Sequence, residues 1–254
     1  MFNLLKNTFI HIQGISKETE AKIWQNDILN WEEFIDKHDK LDMNSNKKDK
    51  ICSQLNKSIK CYQKNAYSFL IDNIPGSMHW RAYKELKRNC CFLDIETTGL
   101  DKHRDDITTI AVYDGKKSEV FIRGQNMDDF SNAIKKYDMI VSFNGRCFDI
   151  PFLKNKFPKI NLDKFHCDLR FGMKELGYAG GLKKIEKEIG ICRDDDLDGV
   201  DGFEAVRLWY KYKKGDQAAL DKLVKYNIAD VENLKVMMEF AFEKLKEKNF
   251  HSVI

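Results

Sequence analysis

Apolar residues recur at intervals of three and four through most of the first third of the chain. This spacing places them on one face of a helix, with short polar connections between helices. A polar stretch over 42–50 separates the second helix from the third, and the segment 73–77, which contains Pro75 and Gly76, ends the third. The predicted helices span 17–29, 31–38, 50–72 and 78–88.

The pattern changes at Asn89, where short apolar runs of strand length begin. Asp114-Gly115 lies between two of these runs and is a typical hairpin turn. Three antiparallel strands, followed by strands that alternate with helices, predict an α/β fold with a mixed sheet covered by helices. The predicted strands span 90–96, 107–113, 118–123, 138–143 and 163–169. The predicted helices span 128–137, 147–156 and most of 169–248, with breaks near 180–181 and over 194–202.

Composition sets limits on this picture. The chain has 254 residues, 43% of them hydrophobic, which suits one domain of ordinary size or one domain with a small appendage. Its apolar runs fall far short of the roughly 18–20 residues that span a bilayer, and the N-terminus lacks the apolar core of a secretory signal. The seven cysteines are scattered and form no C-x-x-C, which disfavours a disulfide framework or a structural zinc and favours a cytoplasmic protein.

Charge is distributed unevenly along the chain. Residues 1–88 carry 15 Lys and Arg against 11 Asp and Glu, whereas the rest is nearly balanced. We therefore predict a mildly basic helical region over 1–88 and an α/β domain over 89–254. The excess charge is a mild indication of a polyanionic partner, and a solvated lysine-rich face is the simpler alternative.

The first chemical motif lies in the first predicted strand. Asp94 and Glu96 alternate with core residues, so both project from the same face, about 6–7 Å apart along the strand. Two buried acids cost desolvation unless a positive group compensates them. A divalent cation such as Mg²⁺ or Mn²⁺ prefers oxygen ligands of this kind. The alternative is a pair of solvated acids at a strand end.

The second motif, Asn144-Gly145-Arg146-Cys147-Phe148-Asp149, follows the strand predicted over 138–143 and opens a helix. Asp149 falls in the first helical turn, where the helix dipole favours a negative charge, so a simple helix-start acid is an alternative reading. If the motif is functional, Asn144 touches substrate, Phe148 packs beneath or stacks upon a base, and Arg146 contacts a phosphate.

The third motif lies on a long helix with an apolar stripe. Tyr226 and Asp230 fall within ~40° of each other when viewed down the helix axis, at the border of that stripe. A border position lets a carboxylate reach a cleft while its helix stays packed. The alternative is a surface acid beside an amphipathic tyrosine.

In this order and context, the three motifs resemble those of the tyrosine-type DEDD exonucleases of the ribonuclease H-like superfamily. The local sequence around the motifs is most similar to that of YprB-type predicted nucleases. The resemblance covers roughly residues 89–245. A histidine-type relative carries His five residues before the last Asp, but here that position is Lys225. The tyrosine type is therefore the better match.

The resemblance implies a five-stranded mixed sheet flanked by helices and a metal-dependent nuclease. It implies stepwise 3′→5′ hydrolysis of DNA or RNA, from single-stranded ends, with release of nucleoside 5′-monophosphates. The implied ligands of two divalent cations, Mg²⁺ or Mn²⁺, are Asp94, Glu96, Asp149 and Asp230. Tyr226 is implied to orient or activate the attacking water, and Thr97 joins Asn144, Phe148 and Arg146 as a substrate contact. Two alternatives remain: a nucleic-acid-binding module with little hydrolysis, and a structure-specific endonuclease.

Two further features are left open by the sequence. The segment 8–16 resembles the entry to a helix-hairpin-helix, which presents backbone amides to a phosphate. Only Gly14-Ile15 remains of the usual turn, because Ser16 replaces its second glycine, and a helical cap that closes one edge of the sheet is the alternative. Asp168 ends a predicted strand, where it either supports the site or caps the next helix.

Overall fold

The computed structural model describes residues 3–197 and 199–250. Residues 1–2, 198 and 251–254 of the two regions predicted over 1–88 and 89–254 lie outside the described residues. Helices dominate the first third and the C-terminal part of the described chain. The α-helices of the described residues are α1 (Lys17–Gln25), α2 (Trp31–Lys37), α3 (Ser45–Gln63), α4 (Ser68–Asn73), α5 (Tyr83–Leu86), α6 (Phe130–Ala133), α7 (Asp149–Lys156), α8 (Leu169–Glu175), α9 (Leu182–Glu188), α10 (Gly202–Lys213) and α11 (Gln217–Phe250).

A mixed five-stranded sheet forms the centre, as predicted. Its order is β3-β2-β1-β4-β5; the first three strands pair antiparallel, and β1, β4 and β5 pair parallel. The turn at Asp114-Gly115 joins β2 to β3, with Gly115 at a φ of 92° that a residue with a side chain would rarely adopt. The strands are β1 (Cys90–Thr97), β2 (Ile107–Tyr113), β3 (Ser118–Ile122), β4 (Met139–Ser142) and β5 (Phe165–Asp168).

The two faces of β1 bury different partners. Leu93 and Ile95 pack on one face with residues of α6 and α7. Phe92 lies on the other face, in the core that α11 covers. Because side chains alternate along a strand, Asp94 and Glu96 share the face of Phe92 and point towards α11. This alternation directs both acids of the first motif at the helix that carries the third.

The N-terminal region shares its hydrophobic core with the sheet domain. The rings of Trp24 in α1 and Phe250 at the end of α11 lie 4.6 Å apart. The buried Glu20 pairs with the buried Arg81, whose Nη1 lies 2.9 Å from the Glu20 Oε1. The division at residue 89 remains a prediction, and the structure places one continuous core across it.

The segment that resembles a helix-hairpin-helix has Gly14 at a φ of 84°, with Ser16 capping α1. Its amides are partly occupied: those of Phe9 and Ile10 donate to Glu20, and that of Gln13 donates to the Gln54 side chain. Nucleic-acid binding by this region stays a prediction.

Two predicted helices differ in the structure. The span 50–72 is divided into α3 and α4, because the chain turns at Asn65, whose φ is 52°. The span 78–88 forms a 3-10 helix over Gly76–Ala82, the single turn α5 and a 3-10 turn over Lys87–Asn89. Met78 to Tyr83 are all buried, so this half of the segment is packed on every side and not on the single face that a helical spacing predicts.

No helix within the described residues has both the length and the apolar composition needed to cross a membrane. All seven cysteines are free thiols. Cys90, Cys91 and Cys167 are buried, whereas Cys147 and Cys192 are exposed.

Candidate metal centre and active site

Three of the four predicted acids meet at the C-terminal end of β1. One carboxylate oxygen from each of Asp94, Glu96 and Asp230 lies within 4.8 Å of the others. Strand alternation supplies the first two, and α11 crosses the same face of the sheet to supply the third. The fold thus brings Asp230 together with two acids that lie far from it in the sequence.

The fourth acid, Asp149, lies beside this group at the first residue of α7. It is 3% exposed, and the backbone of Ile95, between the two acids of β1, acts to lower its pKa against the rise that burial causes. The approach is close at Gly145, where an added Cβ would lie 2.2 Å from Ser142 Oγ and 3.3 Å from Asp149 Oδ2. A glycine is therefore needed to bring this loop against the site. We refer to the four carboxylates of Asp94, Glu96, Asp149 and Asp230 as the acidic site.

Burial and mutual repulsion raise the pKa of every carboxyl in the acidic site. For Asp94 and Glu96, burial comes first and the charges of Asp230 and Asp149 add to it, so both pKa values lie well above their ordinary values. Burial raises the pKa of Asp149 to about 7 and that of Asp230 to about 6, where Arg193 opposes the rise. The site therefore favours any cation that offsets its charge.

The donor set fits divalent cations. Every candidate ligand is a carboxylate oxygen, which Mg²⁺ and Mn²⁺ prefer. Asp149 Oδ1 is buried and has no hydrogen-bond partner, although buried polar atoms are usually paired. A coordinated ion would satisfy that oxygen and relieve the repulsion among the four carboxylates.

Asn227 is a site residue that the sequence analysis did not single out. Its Nδ2 donates to Asp94 Oδ2 at 2.7 Å, and its Oδ1 accepts from the Thr109 hydroxyl at 2.9 Å. The side chain is fully buried. A sequence signal existed, because Asn227 falls on the apolar stripe of α11, four residues from both Leu223 and Val231. A polar residue in such a stripe indicates a buried partner.

Replacing Asn227 with leucine should weaken metal binding. The amide fixes one oxygen of Asp94, and groups that orient a metal ligand are typically worth about 10- to 100-fold in affinity. Isothermal titration of Mn²⁺ into the nucleic-acid-free protein measures this change. Asn249→Leu, near the far end of α11, is the matched control and should bind Mn²⁺ as the wild type does. Equal affinities for both variants would show that Asn227 does not orient Asp94.

Tyr226 lies one helical turn before Asp230 and is 6% exposed. It is thus buried, rather than at the border of the core as its place on the helix predicts. Lys183 Nζ lies 4.6 Å from the centre of its ring. Burial, then the charges of Asp230 and Glu96, raise the pKa of Tyr226 far above 10. Its hydroxyl therefore stays protonated and can donate a hydrogen bond at neutral pH.

No sequence motif indicates the two charged residues, Arg193 and Glu186, that lie near the site. Arg193 Nη2 donates to Asp230 Oδ1 at 2.5 Å and to Glu186 Oε1 at 2.7 Å. Arg193 lies in the loop after α9, and Glu186 lies within α9. Nothing in their spacing indicates this contact, because it forms only when α9 and α11 pack.

The second motif is held by Asp168. Its two carboxylate oxygens accept from the backbone amides of Asn144 at 2.7 Å and Arg146 at 3.0 Å. Its Oδ1 also accepts from the Arg170 amide and so caps α8. Asp168 therefore caps α8, as one of the two interpretations predicts, and it also bonds the loop of the second motif. The bond to Asn144 holds a residue whose φ is 63°, outside the usual range for a side-chain-bearing residue.

The predicted substrate contacts surround this loop. Asn144 Oδ1 accepts from Arg170 Nη1 at 2.6 Å, and the exposed Arg146 lies 5.9 Å from the Phe171 ring. Phe148 is half-buried and packs on Phe152, with ring centres 4.8 Å apart. Thr97 is buried and donates its hydroxyl to the carbonyl of Gly99. Their contact with substrate stays a prediction.

Comparison with known proteins identifies the superfamily of this chain. Residues 91–242, more than half of the chain, match the RNase_H_2 model of the RNase_H superfamily, so the chain belongs to that superfamily. This confirms the resemblance to the ribonuclease H-like superfamily that the three motifs indicate. A search of the curated proteins found no match. Together, the family and the acidic cluster of Asp94, Glu96 and Asp230 support a metal-dependent nuclease that acts on nucleic acid.

Several solved structures are similar. The family B DNA polymerase from the hyperthermophilic archaeon Pyrobaculum calidifontis is 18% identical, with a TM-score of 0.49, over 59% of this chain and 24% of the polymerase. NrnC from Brucella melitensis, with bound Mg²⁺, is 20% identical, with a TM-score of 0.45, over 66% of this chain and 78% of NrnC. A structure described as the apo form of the nuclease is 18% identical, with a TM-score of 0.47, over 67% of this chain and 81% of that one.

Proposed function

We propose that this protein is a metal-dependent 3′→5′ exonuclease of the tyrosine DEDD type. It hydrolyses phosphodiester bonds of DNA or RNA from single-stranded 3′ ends and releases nucleoside 5′-monophosphates in the cytoplasm. The observation that carries the proposal is the convergence of Asp94, Glu96 and Asp230 within 4.8 Å, with the unpaired Asp149 oxygen beside them.

Four carboxylates suit a pair of divalent ions, Mg²⁺ or Mn²⁺, better than a single one. Their four negative charges equal the charge of two such ions. When bound, such ions would supply activation of the attacking water and stabilisation of the leaving oxygen in an in-line displacement. Asp94, Glu96, Asp149 and Asp230 would hold them.

The chain's own groups then position the reactants. Water adds its oxygen to phosphorus, the 3′-oxygen of the preceding nucleotide departs, and that oxygen takes up a proton. The protonated hydroxyl of Tyr226 donates a hydrogen bond that orients the attacking water. Asn227 holds the Asp94 carboxylate in place, and Asp168 holds the Asn144 loop against the acidic site.

A basic groove beside the second motif suits the path of the strand. A cavity of about 590 Å³ is lined by Phe143, Asn144, Arg170, Lys174 and Tyr178, among others. Arg170 and Lys174 are four residues apart on α8, so they lie on the same side of the helix. Cations beside aromatic rings are the pattern that binds phosphates and bases of single strands.

The double variant Arg170→Ala/Lys174→Ala should bind a single-stranded oligonucleotide about tenfold more weakly, because two phosphate contacts are lost. For the same reason, the slope of log K for binding against the logarithm of the salt concentration should become shallower by about one to two. Fluorescence anisotropy in a chelator measures both quantities without cleavage. The charge-matched control is Lys116→Ala/Lys117→Ala, in the hairpin at the opposite end of the sheet, and it should retain both values. Equal losses in the two double variants would place the strand elsewhere.

The proposed reaction is tested with end-labelled single-stranded DNA and RNA in Mg²⁺ or Mn²⁺. A ladder that shortens from the 3′ end, with nucleoside 5′-monophosphates as products, is the expected result. Cutting of a covalently closed circular strand would instead favour an endonuclease. Protection of the strand without any cleavage would favour a binding module. The variant Asp94→Ala is the control for a contaminating nuclease.

A further inference from the structure

A buried cation lies against one of the proposed metal ligands. Arg193 Nη2 is 2.5 Å from Asp230 Oδ1, and the same guanidinium forms two bonds of 2.7 Å to Glu186. The three side chains are 11%, 4% and 2% exposed, for Arg193, Asp230 and Glu186. Charge-assisted bonds with this fork geometry, in a buried setting, are among the strong ones in proteins.

The guanidinium is held by more than Asp230. Two nitrogens of the Arg193 guanidinium donate to Glu186, and Asn233 of α11 donates to Glu186 Oε1 at 3.1 Å. Helices α9 and α11 therefore fix Glu186, and Glu186 fixes Arg193. The positive charge remains next to the acidic site whether or not Asp230 stays bonded to it.

This arrangement has opposite effects on the two states of the site. Without metal, Arg193 offsets part of the repulsion among the buried carboxylates. A divalent ion needs oxygens of Asp230, brings two positive charges close to Arg193, and is repelled by it. We propose that Arg193, anchored by Glu186, is a resident counter-ion that competes with a divalent cation for Asp230 and so lowers the affinity of the site for metal. This inference rests on the metal site of the proposed function.

The structure provides room for the exchange. A cavity of about 680 Å³ lies between α9 and the loop that follows it, and its charged lining includes both signs: Arg193, Lys183 and Lys187 with Asp194, Asp195 and Asp201. When Asp230 turns to a metal ion, the Nε and Nη2 bonds from Arg193 to Glu186 can remain, and the guanidinium stays beside the carboxylates of this cavity.

The test is Mn²⁺ affinity without nucleic acid, measured by isothermal titration calorimetry. Arg193→Met/Glu186→Gln removes the ion pair, leaves the net charge unchanged and avoids stranding a buried Glu186 charge. It should bind Mn²⁺ about tenfold or more tightly than the wild type, because the competitor nearest Asp230 is gone. Glu186→Gln alone should bind Mn²⁺ more weakly, because Arg193 is left with Asp230 as its carboxylate partner. Lys183→Gln, which removes a nearby charge that has no hydrogen bond to the site, is the control for general electrostatics and should change the affinity less than the double variant.

Unchanged or weaker Mn²⁺ binding by the double variant would overturn the inference, as would an equal gain in Lys183→Gln. A crystal structure of the wild-type protein with Ca²⁺ gives a second measurement that does not depend on a variant folding. There, Arg193 should have left Asp230, and a loaded site with the contact intact would contradict the proposal. If the wild type binds no divalent ion at all, the proposed function fails instead, so the two failures are distinguishable.

Discussion

Asp149→Asn should abolish turnover and at the same time make the metal-free protein more stable at pH 8. Loss of a metal ligand should lower kcat on the order of a thousandfold or more, since residues of a catalytic unit cost about that much when removed singly. Stability should change in the opposite direction, because the substitution replaces a buried, repelled carboxylate with a neutral amide of the same shape.

The pH dependence of stability follows from the direction of the pKa shift. The pKa of Asp149 is raised from 3.8 to about 7 in the folded protein, so the folded state holds its proton more tightly than the unfolded state does. The resulting contribution is fully present below pH 3.8 and is lost as the pH rises through 7. A shift of this size corresponds to an effect on the order of a few kcal/mol at pH 8.

Thermal unfolding in a chelator measures the pH dependence of stability, and thermal unfolding with Mn²⁺ measures the stabilisation by bound metal. The wild-type Tm in chelator should fall between pH 5 and pH 8, and the fall should be smaller in Asp149→Asn. Added Mn²⁺ should raise the wild-type Tm at pH 8 and leave that of the variant nearly unchanged. Asp163→Asn, at an exposed position outside the site, is the matched control. A metal-free variant less stable than the wild type at pH 8 would show that Asp149 is a structural acid.

Tyr226→Phe should lower kcat by about 10- to 100-fold, because a group that orients the attacking water is lost. The phenyl ring keeps its place in the core and its contact with Lys183, so Mn²⁺ affinity, Tm and oligonucleotide affinity should stay as they are. Single-turnover cleavage of a labelled strand, together with calorimetric titration of Mn²⁺, separates these quantities. Tyr210→Phe, on the exposed side of α10, is the control. Unchanged turnover would remove Tyr226 from the reaction, and loss of folding would make it a packing residue.

Most of the sheet and two acids of the site could be predicted from local sequence. The alternation in β1 places Asp94 and Glu96 on one face, and a hairpin turn at Asp114-Gly115 requires only its own few residues. Both signals are short-range, so no knowledge of packing is needed to read them. The meeting of Asp230 with β1 is different. No local pattern indicates which helix crosses which strand. This contact was expected only because the three motifs resemble those of a known family.

The unpredicted parts depend on packing between distant segments. The 3-10 geometry of 76–89 arises where this segment packs on β5, with the His166 amide donating to His79. The reversal at the exposed Asn65 follows instead from a left-handed backbone, which the helical spacing of apolar residues does not indicate. Arg193 reaches Asp230 only because α9 and the loop after it pack beside α11. Asn227 was recognisable in principle, since a polar residue interrupts an apolar stripe, but its partners Asp94 and Thr109 were not.

Anomalous diffraction from crystals of the wild-type protein with Mn²⁺ is the most direct test of the proposed metal centre. We expect two manganese peaks about 4 Å apart, ligated by Asp94, Glu96, Asp149 and Asp230. An acidic site without any peak at millimolar Mn²⁺, or a manganese ion bound elsewhere and touching none of these four carboxylates, would contradict it.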